Sequence, residues 1–374
     1  MLSQLTPILL EEITHGFGKE LAAGKPTSKG KEVTAMDFFS GIMHRAATRV
    51  MIGTELCRDE SFLKTTTSML QSIFFTAIIT VNLPLGPLRP YLVPLLTLPH
   101  KWKNEKCAKV LQPIVEKRIQ RRQSKQNGHS DGDIGDAIEW TLDLVKGDPK
   151  YDTPERLTEE LLHNLWAASS APGGMMTEIV YQMLTYPEYM EPLRKEAEQM
   201  VKEHGWTEKM LANLQLQDSF VREVNRMLPT GAKKPFEFSD GLTLPVGTRF
   251  GFPIRAMQHD SDNYESPDTF DGFRFFKKTQ AENGNGGVAS ESSQRWSSTA
   301  MSSTNLAWGY GNHICPGRFF AIRAIKFILT KLLLEYEIGW DRPKGAERPK
   351  CVNVEGQFVP NLSQKVWIKA RSQL

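Results

Sequence analysis

The sequence predicts a mainly α fold with a minor β component. Patterns of helical period follow one another from Leu5 to Leu228, while strand-like runs are short and confined to the chain after Pro229. The composition, 40% hydrophobic and 24% charged, is that of an ordinary globular protein. A chain of 374 residues can form one large domain or two ordinary ones. The helical patterning continues across it, and a single domain over 1–374 is expected.

The early helices are Leu5–Leu21, Asp37–Ile52, Phe62–Ile79 and Trp102–Arg122, each with an apolar stripe. A polar stretch, Gln123–Asp136, reads as an exposed loop. Thr153 then offers an N-cap with Pro154 in the first helical position, and apolar residues run on to Leu184. Pro172, Gly173 and Gly174 interrupt the centre of that helix, so a kink is expected there. Helices Pro187–His204 and Gln217–Leu228 follow. Strands are expected at Leu242–Leu244 and Thr248–Ile254. Residues 281–305, rich in Gly, Ser and Asn, read as irregular, and a last helix runs from Pro316 to Tyr336.

A net charge of +3, with the basic residues dispersed, argues against nucleic-acid binding. The four cysteines, Cys57, Cys107, Cys315 and Cys351, form no CxxC pair, so neither a disulfide framework nor a zinc site is indicated. The N-terminus lacks the basic and apolar regions of a signal peptide. The most apolar stretch, Ile73–Leu85, is too short to cross a membrane. A cytoplasmic location, or one peripheral to the endoplasmic reticulum membrane, is expected.

The chemistry concentrates at Cys315, in the segment Trp308-Gly-Tyr-Gly-Asn-His-Ile-Cys-Pro-Gly-Arg-Phe-Phe-Ala321. Gly309 and Gly311 allow a tight turn and a close approach to a flat ligand. A cysteine just before a helix has its thiolate favoured by the helix amides. Trp308 offers a flat face, and His313 is a donor able to reach a carboxylate. Spacing alone leaves two readings open: a structural cysteine in a turn, or a ligand.

The segment resembles the haem-binding loop of the cytochrome P-450 superfamily, which runs Phe/Trp-Gly-x-Gly-x-basic-x-Cys-x-Gly. Trp308, Gly309, Gly311, His313, Cys315 and Gly317 meet its fixed positions. The CPGRFFA ending resembles the fungal secondary-metabolite branch. Glu223-Val-Asn-Arg226 is similar to the family's ExxR, and Pro267-Asp-Thr-Phe-Asp-Gly-Phe-Arg274-Phe to its later Arg-bearing segment. The resemblance implies haem b with iron ligated by the Cys315 thiolate, which donates electron density that favours O–O cleavage. It also implies a structural Glu223–Arg226–Arg274 network behind the loop, and electrons from NADPH-cytochrome P-450 reductase. His259 is read as structural.

Three departures accompany the resemblance. The start, MLSQLTPILLEEI, is similar to a point well inside the family domain, which implies a cytochrome P-450-like fold lacking its N-terminal quarter. In the interrupted helix, Ala171 or Pro172 stands where the family places a proton-relaying alcohol. Ser170 is the nearest replacement, and Ser169 and Ser170 equally suit bonding back to their own helix. Glu178 lies two turns beyond. The segment between Pro229 and Asp240 is shorter than the family's strand there, which often carries an Arg, and Lys233 and Lys234 are read as solvent-facing rather than as its replacement.

The first function implied is a haem-thiolate monooxygenase hydroxylating or otherwise oxidising a lipophilic secondary metabolite of terpenoid, polyketide or alkaloid type. A haem-thiolate or haem-less protein catalysing an oxygen-independent rearrangement is the alternative, with a non-catalytic remnant as the third.

Overall fold

The computed structural model describes residues 4–83, 85–126, 135–148, 150–227, 253–284, 293–343, 345–354 and 357–372. Pro229, Lys233, Lys234, the expected strand Leu242–Leu244 and most of Thr248–Ile254 lie outside them. The chain divides into two compact units, Met1–Gly24 with Asp37–Gly173 and Lys25–Met36 with Gly174–Leu374.

The first unit is helical. It holds α1 (Leu5–Ala23), α2 (Ala35–Met51) from Asp37 onward, α3 (Glu60–Asn82), α4 (Arg89–Leu96), α5 (Leu98–Gln126), α6 (Ala137–Val145) and the first part of α7 (Pro154–Thr185). Leu9, Ile13 and Phe17 of α1 recur at helical spacing and are fully buried. Phe17 meets Phe38 of α2 edge to face at 5.6 Å. Asp59 caps α3 by accepting the amides of Ser61 and Phe62.

The loop expected at Gln123–Asp136 is shorter than its polar composition suggests. α5 continues to Gln126, and Asp136 caps α6 by accepting the Glu139 amide. A polar helix end looks the same as a loop in sequence. Arg118 of α5 fixes this corner, reaching Glu55 at 2.7 Å and Asp136 and Glu139 at 3.3 Å.

Thr153 accepts the Arg156 amide at 3.3 Å and starts α7 at Pro154, as the sequence indicates. α7 runs for 32 residues as one helix, with Pro172 inside it. Proline removes one backbone donor from the ladder there. Gly173 packs against α2, where a Cβ would stand 2.8 Å from the Ser40 hydroxyl and 2.9 Å from its Cα.

The second unit carries the sheet. Its antiparallel order is β1 (Lys25–Thr27), β2 (Gly30–Thr34), β6 (Lys365–Ala370), β3 (Tyr336–Gly339). Lys31 and Ile338 both pair with Ile368. The strands β1 and β2 contradict the expectation that strands occur only after Pro229. At three and five residues they are too short to show alternation, and β2, which pairs with β1, takes its other partner over 330 residues away. A second hairpin joins β4 (Val352–Val354) and β5 (Gln357–Val359).

The helices of this unit are the end of α7, α8 (Met190–His204), α9 (Glu208–Asn213), α10 (Gln215–Met227), α11 (Ile254–Gln258), α12 (Arg274–Gly284) and α13 (Arg318–Glu335). Ile254 therefore opens a short helix instead of ending a strand. α12 likewise reaches Gly284, into the stretch expected to be irregular. α13 is buried over most of its surface from Phe320 to Leu333, and its buried Lys326 and Lys331 are paired with Asp218 and Glu335.

Candidate haem-binding loop and its bracing

The loop is braced by α10, whose sequence QLQDSFVREVNRM alternates apolar and hydrogen-bonding side chains. Its start is capped from α8: Glu196 accepts the amides of Leu216 at 2.6 Å and Gln217 at 3.0 Å. Burial pushes the Glu196 carboxyl up to about 7 against the pull of those amides.

Glu223, Arg226 and Arg274 are brought together. Arg226 grips the Glu223 carboxylate with Nε at 2.8 Å and Nη2 at 2.7 Å, and Arg274 Nε reaches the same oxygens at 3.1 and 3.2 Å. The Asp271 amide also donates to Glu223, at 3.1 Å. The remaining guanidinium donors go to backbone carbonyls. Arg226 reaches Gln258 at 2.6 Å and Pro267 at 2.8 Å, and Arg274 reaches Glu265 and Thr269. Two forked cations thus tie the segment 258–274 to α10, a task suited to the five fixed donors of arginine. Glu223 is fully buried, so each partner is needed to offset the cost of removing its charge from water.

Behind this network lies an aromatic cluster. Tyr189 meets Phe273 at 4.9 Å, and Phe220 meets Phe270 at 5.4 Å, both edge to face. Gly272 passes between them: a Cβ there would lie 2.6 Å from the Phe220 ring and 2.9 Å from that of Tyr189.

The cysteine loop itself is closed by a 2.7 Å bond from the Cys315 amide to the Trp308 carbonyl. The turn between them needs left-handed backbone at Gly309 (φ 79°) and Gly311 (φ 58°), where glycine alone is unstrained. Trp308 donates its indole N–H to the Ser298 carbonyl at 2.7 Å. The side chain of His313 lies outside the described part.

The helix after the cysteine starts later than the sequence suggests. Pro316 and Gly317 form a turn, and the ladder opens with the Ala321 amide on the Gly317 carbonyl at 2.9 Å. A Cβ on Gly317, the N-cap of α13, would lie 3.9 Å from the Cys315 sulfur. The sulfur therefore still sits beside the N-terminal end of an 18-residue helix, where negative charge is favoured. Arg318 donates to the Cys315 carbonyl at 3.0 Å.

The other thiols are unsuited to ligation. Burial pushes Cys57 and Cys107 up to about 11. Cys351 is pushed up to about 12 by burial and by the Glu178 carboxylate, to which it donates at 3.0 Å. Cys315 is half-buried, and no described residue bonds its sulfur. One accessible soft donor flanked by glycines beside a helix N-terminus fits a thiolate-ligated haem.

Ser170 belongs to the first unit and Cys315 to the second. Ser169 is buried and bonds back to the Leu165 carbonyl at 2.7 Å, while Ser170 is half-buried and no described residue bonds its hydroxyl. Glu178 is occupied by Arg348 as well as Cys351. His259 pairs with Asp268 at 2.7 Å, in keeping with a structural role.

Sequence reading missed Asp218, Ser219, Arg222 and Ser298. Ser219 accepts the amides of Phe275 and Phe276, and Arg222 donates to the carbonyls of Arg295 and Ser297. The available signal was spacing: Ser219, Glu223 and Arg226 share one stripe of α10, and Asp218 and Arg222 the next.

A model of the cytochrome P450 family matches residues 5–359. The cytochrome P450 monooxygenase sirB of Leptosphaeria maculans is 36% identical over 99% of this chain and 70% of its own length. The monooxygenase penP of Penicillium crustosum is 30% identical, with the same coverage. Ent-kaurene oxidase P450-4 of Gibberella fujikuroi is 30% identical over 99% of this chain and 72% of its own length. The retinoic acid-bound cyanobacterial CYP120A1 has a similar fold, with a TM-score of 0.71 at 17% identity, covering 99% of this chain and 75% of that one. This family binds haem through a cysteine thiolate and draws electrons from a redox partner. The chain belongs to the cytochrome P450 family, as an oxidoreductase of the monooxygenase type.

Proposed function

We propose that Cys315 ligates the iron of haem b and that the protein oxidises a lipophilic secondary metabolite of terpenoid, polyketide or alkaloid type. The observation that carries this reading is the accessible Cys315 sulfur, without a partner among the described residues, on a loop anchored to its surroundings at every turn. Fungal monooxygenases and an ent-kaurene oxidase among the relatives support the substrate class.

Haem b, when bound, supplies the one-electron and oxygen chemistry. The N-terminal end of α13 stabilises the Cys315 thiolate, and Gly309 and Gly311 let the backbone approach the flat group closely. Trp308 presents its ring, Gly317 leaves room beside the sulfur, and His313 fills the basic position of the motif. Glu223, Arg226 and Arg274 hold the segment behind the loop. Ser170, with a hydroxyl that no described residue engages, would serve as the proton relay. The electron donor is NADPH-cytochrome P450 reductase.

No helix among the described residues is long and apolar enough to cross a membrane. A location at the face of the endoplasmic reticulum membrane is supported by Phe75, Leu88, Tyr91, Leu95 and Trp102, which expose more than half of their surface on α3 to α5.

The test supplies haem-loaded protein with NADPH, the reductase and heavy-isotope oxygen gas, against ent-kaurene and a fungal metabolite extract. Reductase-dependent incorporation of label into one component is expected. No incorporation by a protein that shows thiolate-ligated haem overturns the monooxygenase reading. Conversion of a component without oxygen assigns the rearrangement chemistry in its place.

A further inference from the structure

We infer that Asp218 is a positioning residue for the cysteine loop, acting through Ser298 and Trp308 by a route separate from the Glu223 network. The inference rests on Cys315 being the haem ligand. Asp218 sits in the first turn of α10, and its carboxylate takes both donors of one residue. The Ser298 amide bonds one oxygen at 2.7 Å, and the Ser298 hydroxyl bonds the other at 2.8 Å. Lys326 of α13 closes on the same carboxylate at 2.7 Å. An ordinary helix-to-helix ion pair would need only the lysine. The two-point hold on Ser298 fixes that residue's orientation as well as its place.

That orientation has a consequence along the chain. With its amide and hydroxyl turned to Asp218, Ser298 presents its carbonyl to the indole N–H of Trp308 at 2.7 Å. The Trp308 carbonyl then accepts the Cys315 amide at 2.7 Å. The links run Lys326, Asp218, Ser298, Trp308, Cys315. The first link comes from the helix that follows the cysteine, so the path returns to the element it left and forms a closed frame. Ser298 is 2% exposed and Lys326 7%, so water does not readily replace either bond.

Neighbouring contacts point the same way. Arg222, one turn after Asp218, donates to the carbonyls of Arg295 at 2.9 Å and Ser297 at 3.0 Å and lies over the Phe275 ring at 4.2 Å. The adjacent stripe of α10 attaches elsewhere, through Glu223 to residues 258–274. One helix therefore carries two stripes of hooks, one for the segment before the loop and one for the segment beside it.

The experiment uses haem-loaded protein and compares Asp218→Asn, Trp308→Phe and the double variant. Trp308→Phe keeps an aromatic side chain and deletes only the indole donor. Two readouts are taken: the rate at which the reduced, carbon-monoxide-bound protein loses its thiolate-type Soret band, and hydrogen exchange of the Cys315 amide. Each single variant is expected to raise both rates about tenfold, the scale of one lost buried hydrogen bond. The double variant should be no worse than the more severe single one, because both break the same series. Lys277→Ala, which removes an exposed ion pair with Asp271, serves as the control and should match the parent. Parent-like rates in Asp218→Asn overturn the inference, and so does additivity of the two substitutions. Absence of the thiolate band in the parent protein instead sinks the reading of Cys315 as ligand, while amide exchange still reports on the frame.

Discussion

Nδ1 of His44 lies 3.1 Å from the Ser169 hydroxyl, and Nε2 of the same ring lies 2.8 Å from Thr66. Ser169 also bonds to its own helix at Leu165. One imidazole thus joins α2, α3 and α7, and the hydroxyl of Ser169 is engaged in holding them. Adjacent serines on α7 consequently have different work: Ser169 is a packing residue, and Ser170 retains a free hydroxyl among the described residues.

Substituting the two serines should separate stability from proton delivery. Ser169→Ala is expected to lower stability by about 1–3 kcal/mol, because it leaves a buried imidazole nitrogen without its partner. Ser170→Ala should leave the thermal midpoint unchanged. It should instead divert NADPH consumption into peroxide at the expense of product, and measuring both in one assay checks this. Product formation by Ser170→Ala at the parent level, with parent peroxide yield, removes the relay role.

His44 also sets a pH dependence. Burial pushes it down to about 4 from an ordinary 6.5. Between those values the unfolded chain takes up a proton that the folded protein refuses. Stability is therefore fully present above pH 6.5 and is lost as pH falls toward 4, by up to about 3 kcal/mol. Denaturation midpoints of the parent and His44→Asn across this window test the point. The slope attributable to His44 should vanish in the variant, and equal slopes would contradict it.

The Glu223 network should respond to single deletions far more than an exposed pair would. Arg226→Ala takes two of the five described hydrogen bonds from a fully buried carboxylate, a loss of about 3–5 kcal/mol. Reduced haem content and a lower thermal midpoint are expected together. Arg226→Lys should recover only part of either, since an ammonium cannot reproduce the forked contact.

Gly272→Ala should cost about 1–3 kcal/mol through overpacking against Phe220 and Tyr189. A calorimetric midpoint equal to that of the parent would show that the aromatic cluster can open.

Some of this was legible in the sequence and some was not. The loop from Trp308 to Gly317, and the trio Glu223, Arg226 and Arg274, were readable because each position demands one residue type in a fixed order. The start of α7 was readable because Thr153 and Pro154 act locally. β1 and β2 were not, since the pairing of β2 with Lys365–Ala370 is decided at long range. Asp218 does not stand out in the sequence because an acid in a first helical turn already has a local explanation. Only the fold brings Ser298 and Lys326 to it.

The most direct test of the central claim is the absorption spectrum of the reduced, carbon-monoxide-bound protein, taken for the parent and for Cys315→Ser. The parent should show the strongly red-shifted Soret band of thiolate ligation, and the variant should lose it while Cys57, Cys107 and Cys351 remain. A parent spectrum without that band, or a variant that keeps it, would contradict the assignment of Cys315 as the haem ligand.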